Sequence, residues 1–531
     1  MTAEAQTDVP ADLIGMPSLT LDDAQLGDLE LLLSGAFAPL TGFMCTADVT
    51  AVVERGTLAD GTPFPIPVTL DVSQGAVPDH AEQLVLADPE GTPLALLDIA
   101  ERSELPAAGN GRDAGLTRLG GPVTSLREPE HGPFRRLMLR PAEARATLGD
   151  APVLAYATRG PVHSRQIGQL RHVAGQLKAR LLLLPLITGP AEVVTRPEAL
   201  IRAVLAAAGN LPPGTMVIPV PLAARGPRAG TGPGRELSAH ALVAAAYGAS
   251  HLMIDDAAAS GLAAPGGTGT ADGPGMAIPV VRSGDWAYDP AAEVWRPLAL
   301  IEAGTERGDL SPGELGDLLD AGAEIPAWFT PAAVARELRR ARPPRAQRGF
   351  VLFLTGLSGS GKSTIARNLA DVLAERGDRK ITLLDGDLVR QVLSAGLTFS
   401  RADRDLNIIR IGFVAAEIAR HGGIAICAPI APYAAARAQV RKMVTEVGDF
   451  LLIHVATPIE VCEARDRKGL YAKARAGLID LTGISDPYEE PLDANLTIDT
   501  STMTREQATA AVLSLLTSGG WLSATQLRSA P

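Results

Sequence analysis

The chain has 531 residues, a net charge of −12, 46% hydrophobic and 20% charged residues. One core rarely grows past about 250–300 residues, so several domains are expected, and the acidic balance argues against broad binding to nucleic acid or anionic membranes, so that any anion site must be a local basic pocket. No apolar run approaches the ~20 residues of a membrane span, the opening MTAEAQTDVPADL lacks the apolar stretch of a signal peptide, and the widely spaced Cys45, Cys427 and Cys462 offer neither a CxxC metal pattern nor a disulfide framework, all of which points to the cytoplasm.

In chain order, residues 21–34 and 47–55 read as acidic helices. Up to about residue 140, short apolar segments broken by Gly, Pro and Asp (66–70, 83–87 and 94–99) predict a mostly β domain with hairpins. From Pro141 the period changes. Helices are expected at 141–148, 164–179, 197–208 and 237–247, and strands at 152–157, 181–186, 215–220 and 250–254. That alternation implies a parallel α/β sheet. Residues 261–275 are glycine-rich and read as a loop, and 310–319 and 331–339 as short helices. The basic, proline-containing RARPPRAQR at 340–348 reads as an interdomain linker. The expected domains are therefore 1–140, 141–339 and 349–531.

The last domain opens on the most informative stretch, FVLFLTGLSGSGKST from Phe350. An apolar strand, a loop of Gly356, Leu357, Ser358, Gly359, Ser360 and Gly361, and a helix from Lys362, Ser363 and Thr364 make a P-loop. Glycines let backbone N–H groups approach phosphate oxygens, and the helix N-terminus adds partial positive charge. Lys362 suits the β- and γ-phosphates of ATP and Ser363 a Mg²⁺ ion. Further strands at 380–384, 424–429, 450–455 and 496–499 alternate with helices at 388–395, 405–420, 434–447, 458–466 and 504–516, with a basic stretch up to Lys473. This is a P-loop α/β kinase layout.

Asp385 and Asp387 stand just past a strand, where α/β sheets bind ligands. One carboxylate near Mg²⁺ and one near an acceptor hydroxyl would suit phosphoryl transfer; solvated acids of an Asp-Gly turn are the alternative. Arg404, Asn407 and Arg410 are spaced by three on one helix face, after Phe399, which could stack on a base. Arginine forks suit phosphate or sulfate, although taken alone this cluster reads first as a solvated helix face.

GLSGSGKST, LDGDLVRQVL, LTFSRADRDLNIIR, APIAPYAAAR, CEARDRKGLYAKARAGLIDLTGI and DPYEEP occur in the order seen in adenylylsulfate kinases, and residues 348–517 resemble that family. Its members move the γ-phosphate of ATP onto the 3′-hydroxyl of adenosine 5′-phosphosulfate to give 3′-phosphoadenosine 5′-phosphosulfate. The resemblance implies that Asp387 approaches that hydroxyl as base or orienting group. It also implies that Arg390, Arg404 and Asn407 hold the substrate, Phe399 stacks on adenine and the Ile430 backbone lines the pocket. Lys468 would belong to a mobile lid, with Thr482 on its far side. Ala431 replaces a serine once proposed as a phosphorylated intermediate, which favours direct in-line transfer. Leu481 and Leu388 stand where phenylalanine and asparagine are common. A homodimer is expected from the resemblance alone.

The first half resembles ATP sulfurylases in DLELLLSGAFAPL from Asp28, in Gly42-Phe43-Met44, at 139–145 and at 321–329. The resemblance implies a multidomain α/β protein: a PUA-like β domain, a Rossmann-like nucleotidyltransferase domain and the P-loop kinase domain. Its catalytic motifs are altered. Where the family reads Q-T-R-N-P-x-H-x-x-H, Arg159 and His163 remain but the first Gln, the Asn and the second His are gone. G-R-D-H-A-G becomes Asp255-Asp256-Ala257-Ala258-Ala259-Ser260, and the arginine of S-G-T-x-x-R is absent after Ser311. Paired aspartates would repel ATP and sulfate, and phosphoryl transition states need positive groups. The expectation is a kinase whose first half is inactive, with His163, His240 and His251 structural. A bifunctional enzyme and a non-catalytic regulatory or assembly module are the alternatives for that half.

Overall fold

Two sheets of different character organise the first half of the chain. In the computed structural model, residues 13, 15–105, 115–127, 133–189, 196–225, 233–254, 270–271, 276–377, 379–398, 400–466 and 468–522 are described. The chain divides into one unit of Met1–Leu315 with Ile325–Ala341 and another of Gly316–Glu324 with Arg342–Pro531.

In the first unit, seven strands form a mixed sheet. Ser18–Thr20, Gln83–Ala87, Pro93–Asp98, Leu116–Ser125 and Gly42–Phe43 follow one another across it, and Leu70–Ser73 and Glu101–Leu105 both pair with the long strand Leu116–Ser125. Only Ser18–Thr20 is paired in parallel. The helix Asp23–Ser34 starts where the Asp22 carboxylate accepts from the Ala24 and Gln25 N–H groups. The apolar run at 66–70 is a strand only from Leu70. Ile66 and Val68 are buried, but Pro65 and Pro67 have no N–H to give a ladder.

The second sheet of this unit runs Met216–Val217, Arg180–Pro185, Val153–Thr158, His251–Ile254 and Val280–Arg282, all parallel, with Thr270–Ala271 antiparallel at its edge. Its helices, including Pro141–Leu148, Ser164–Leu177, Pro197–Ala208 and Pro233–Ala246, match the expected alternation. Most of the expected loop at 261–275 lies outside the described residues.

The second unit is a five-stranded, wholly parallel sheet. Its order is Ile381–Leu384, Ile424–Cys427, Phe350–Thr355, Asp449–Val455, Leu496–Ile498. Every residue of the central strand is buried, which is why it reads as an unbroken apolar run. On one face Ile365, Leu369 and Leu373 of helix Lys362–Arg376 pack with Val512 and Leu516 of helix Arg505–Ser518. On the other, Ile408, Ile411 and Ala415 of helix Arg401–Arg420 meet Val440 and Val444 of helix Ala434–Thr445.

The basic segment at 340–348 is tied down rather than loose. Arg342 and Arg348 donate to the Asp320 carboxylate at 2.7 and 2.6 Å, Arg348 also reaches Asp449 at 3.1 Å, and the Arg345 guanidinium lies 5.1 Å from the Trp521 ring. The basic stretch before residue 476 contains the short helix Leu470–Arg475, which apolar periodicity did not reveal.

Candidate active site

At the carboxyl end of the central strand the chain turns at once into the helix Lys362–Arg376. Gly356, Gly359 and Gly361 take φ values of 148°, 76° and 102° there, which side chains rarely adopt. At Gly356 a Cβ would also lie 2.4 Å from the Val455 carbonyl oxygen. The loop is braced from behind. Its Ser360 carbonyl accepts from Thr457 Oγ1 at 3.0 Å and Thr500 Oγ1 at 2.9 Å, and its Ser358 carbonyl from the Tyr471 hydroxyl at 2.8 Å. Arg465 donates to Thr500 Oγ1 at 2.7 Å. With its carbonyls held, such a loop can offer N–H groups to an anion.

Lys362 is buried, and its Nζ donates to the carbonyls of Gly356 at 2.9 Å and Leu357 at 2.7 Å. Burial pushes its pKa down to about 8; Cys462 and Asp385 pull it upward, and the Lys468 charge adds to the decrease. Ser363 and Thr364 follow in the first helical turn. Asp385, just past Ile381–Leu384, accepts from the exposed Arg367 guanidinium at 2.7 Å. Asp387 and Arg390 lie in the helix Gly386–Val392, where Arg390 Nη1 is 3.4 Å from the Thr398 carbonyl; the Asp387 side chain and Phe399 are outside the described residues. Ile430 directs its carbonyl at the strand end, accepting from Thr355 Oγ1 at 2.6 Å and the Gly356 N–H at 3.4 Å. Lys468 sits between the helices Ile459–Arg465 and Leu470–Arg475.

Arg404 and Asn407 are both buried, so their helix face is not the solvated one that spacing alone allowed. Arg404 Nη1 donates to Thr482 Oγ1 at 3.2 Å and to the Asp486 carboxylate. Asn407 Oδ1 is a buried acceptor with no hydrogen-bond partner among the described residues, a costly state that a ligand's donor would relieve. A cavity of about 550 Å³ opens beside the loop, between Leu357, Pro458 and Ile459 on one side and Gly483, Asp486 and Tyr488 on the other. The bracing residues Thr457 and Thr500 carried no spacing signal. Asp486 stood only as the first residue of DPYEEP.

In the first unit Arg159 follows the strand Val153–Thr158, but its fork is committed. Nη1 donates to the Thr188 carbonyl at 2.6 Å and Nη2 to the Leu222 carbonyl at 3.1 Å, with Glu236 3.6 Å away. Burial pushes its pKa down and the Glu236 charge pushes it back. His163 caps the helix Ser164–Leu177, its Nδ1 is 3.0 Å from Thr330 Oγ1 and its ring centroid is 4.2 Å from that of Phe329. Burial, helped by Arg165, lowers its pKa to about 3, so it is uncharged near neutrality. His240 is likewise lowered to about 4 by burial first and Arg159 second, and His251 Nδ1 lies 2.9 Å from Ser250 Oγ. Asp255 and Asp256 lie outside the described residues. Ser311 and Glu314 cap one another across the first turn of helix Pro312–Ala321.

Three family models match: adenylylsulphate kinase at residues 348–499, ATP-sulfurylase at 135–341 and a PUA-like domain at 1–108. A sulfate adenylyltransferase of Mycosarcoma maydis is 36% identical over 94% of this chain and 94% of its own. One from Chaetomium globosum is 37% identical over 96% and 94%. Among solved structures, the hexameric APS kinase from Thiobacillus denitrificans superimposes with a TM-score of 0.73 at 35% identity, covering 96% of this chain and 95% of that one.

Proposed function

This chain belongs to the family that joins a PUA-like domain, an ATP-sulfurylase domain and an adenylylsulfate kinase domain in one polypeptide, and from that premise we propose that it phosphorylates adenosine 5′-phosphosulfate with ATP. The 3′-hydroxyl oxygen attacks the γ-phosphorus, the bond to the β-phosphate oxygen breaks, ADP leaves, and the hydroxyl proton passes toward Asp387. Lys362 lies six residues after Gly356 in the loop and hydrogen-bonds its carbonyl; on binding, triphosphate oxygens replace the loop carbonyls as acceptors of its N–H groups. Arg390, Arg404 and Asn407 hold the phosphosulfate and nucleoside, and Lys468 closes over the phosphates. Among the described residues no group of three His, Cys, Asp or Glu side chains could hold a metal. Ser363 and Asp385 instead suit a Mg²⁺ ion that arrives with the nucleotide, the usual arrangement for this ion. Bound there, it would neutralise charge on the β- and γ-phosphates.

The observation that carries the reading is the braced glycine loop around a buried lysine that donates to its carbonyls, together with a buried Arg404 and an Asn407 acceptor that has no partner among the described residues. In the first unit, by contrast, Arg159 is committed to backbone carbonyls and His163 is neutral, which supports an inactive sulfurylase site. A second reading, a bifunctional enzyme, is favoured by the naming of the fungal relatives, which match nearly the whole chain. The paired assays are ADP formation from ATP plus adenylylsulfate and pyrophosphate formation from ATP plus sulfate. We expect only the first, and no adenylylsulfate-dependent ADP release would refute the kinase assignment. The relative from Thiobacillus denitrificans is named as a hexamer, so we propose a homo-oligomer here without retaining the dimer. No helix among the described residues is long and apolar enough to cross a membrane.

A further inference from the structure

We propose that Asp486 is a positioning residue for the adenylylsulfate site, setting the plane of the Arg404 guanidinium; this rests on the kinase reading above. Arg404 is buried at 9% exposure on the helix Arg401–Arg420. Its Nη1 is held by two acceptors of a single turn, Thr482 Oγ1 at 3.2 Å and the Asp486 carboxylate. That turn is closed on itself. Thr482 and Asp486 form a β-bridge, and the Gly483 N–H donates to the Asp486 carbonyl at 2.7 Å. The carboxylate is fixed a second time, because the Tyr433 hydroxyl lies 2.9 and 2.8 Å from its two oxygens. Tyr433 is itself buried, with the Arg401 guanidinium 4.4 Å from its ring centroid. An arginine fork is planar, so anchoring one nitrogen through two fixed acceptors decides where its other N–H groups point. The turn also touches the nucleotide loop, since a Cβ on Gly483 would lie 2.9 Å from Leu357 Cδ2.

A carboxylate this close to an anion site would by itself repel phosphosulfate. Arg404 and Tyr433 compensate it, and orientation of the fork outweighs the repulsion. Asp486→Asn keeps the shape but weakens the grip on Arg404. The expected result is a rise in KM for adenylylsulfate of about tenfold or more, with KM for ATP within about twofold and partial recovery in Asp486→Glu. Tyr433→Phe, which removes one neutral hydrogen bond, raises the same KM by a few-fold and serves as the check if Asp486→Asn does not fold. Equilibrium binding of ADP and of adenylylsulfate to each variant separates a folding defect from a substrate-site defect. An unchanged or lowered KM for adenylylsulfate in folded Asp486→Asn, or equal losses for both substrates, overturns the proposal. Should the wild-type chain neither bind nor phosphorylate adenylylsulfate, the kinase reading fails and this inference falls with it.

Discussion

Lys362 holds a charge where burial disfavours it, and its pKa of about 8 against an ordinary 10.5 has a definite sign. Below about pH 8 folded and unfolded chains both bind the proton, and the burial penalty is constant. Between about pH 8 and 10.5 the unfolded chain binds the proton and the folded one does not, so this group makes stability rise with pH across that window. Triphosphate oxygens favour the ammonium, so ATP binding at pH 8.5 is expected to take up a proton. Calorimetry in buffers of different ionisation enthalpy would show it, and Lys362→Met should abolish it while lowering kcat by at least about 100-fold. No proton uptake in the wild type would mean that the lysine is already charged in the free loop. His163 has the same sign at a lower pH. Its pKa of about 3 makes its contribution full above the ordinary 6.5 and lost as pH falls toward 3. His163→Phe should therefore flatten the acid side of the stability profile.

At the scale of elements, the glycine loop is legible in sequence because its demands are local. Positive φ at Gly359 and Gly361 calls for glycine whatever surrounds them. Gly356 adds a tertiary demand from the neighbouring strand end at Val455. Gly356→Ala is expected to cost about 1–3 kcal/mol of stability and to weaken ATP binding more than adenylylsulfate binding, as read by melting with and without each ligand. The helix Arg401–Arg420 was legible as an element, but its function was not. Spacing put Arg404 and Asn407 on one face without saying whether that face met water or a pocket. Packing of the neighbouring Ile408 and Ile411 into the core placed it inside. The helix Leu470–Arg475 escaped because six mostly small or basic residues show no apolar period.

For the whole molecule, the division between units does not fall at one point of the chain. Residues Gly316–Glu324 belong with the second unit, and Asp320 accepts from Arg342, Arg345 and Arg348. Burial pushes the Asp320 pKa upward, but Arg342 and Arg348 more than offset it and leave it lowered, so its contribution is present above the ordinary carboxylate range and lost as pH falls below it. A kinase fragment beginning at residue 342 should therefore melt lower than one beginning at 310. Asp320→Asn in the full chain should cost about 1–3 kcal/mol. Equal melting of the two fragments would show the segment to be dispensable. The pyrophosphate assay belongs at this scale as well. Activity with ATP and sulfate would mean that Arg159 leaves its carbonyl partners on substrate binding.

Local chemistry in the chain was enough to read a P-loop α/β domain, and the order of its motifs carried the resemblance to adenylylsulfate kinases and ATP sulfurylases, because phosphate loops, apolar strand runs and motif order are written in consecutive residues. Partnership was not written there. The Arg404–Asp486 pair spans 82 residues and the Arg159–Thr188 bond 29. The joining of 316–324 to the second unit likewise has no local signature. Charged side chains find their partners only after burial removes water as the competitor. The folded structure therefore decided that Arg404 pairs with a hydroxyl and a carboxylate and that Arg159 is committed to the protein's own carbonyls.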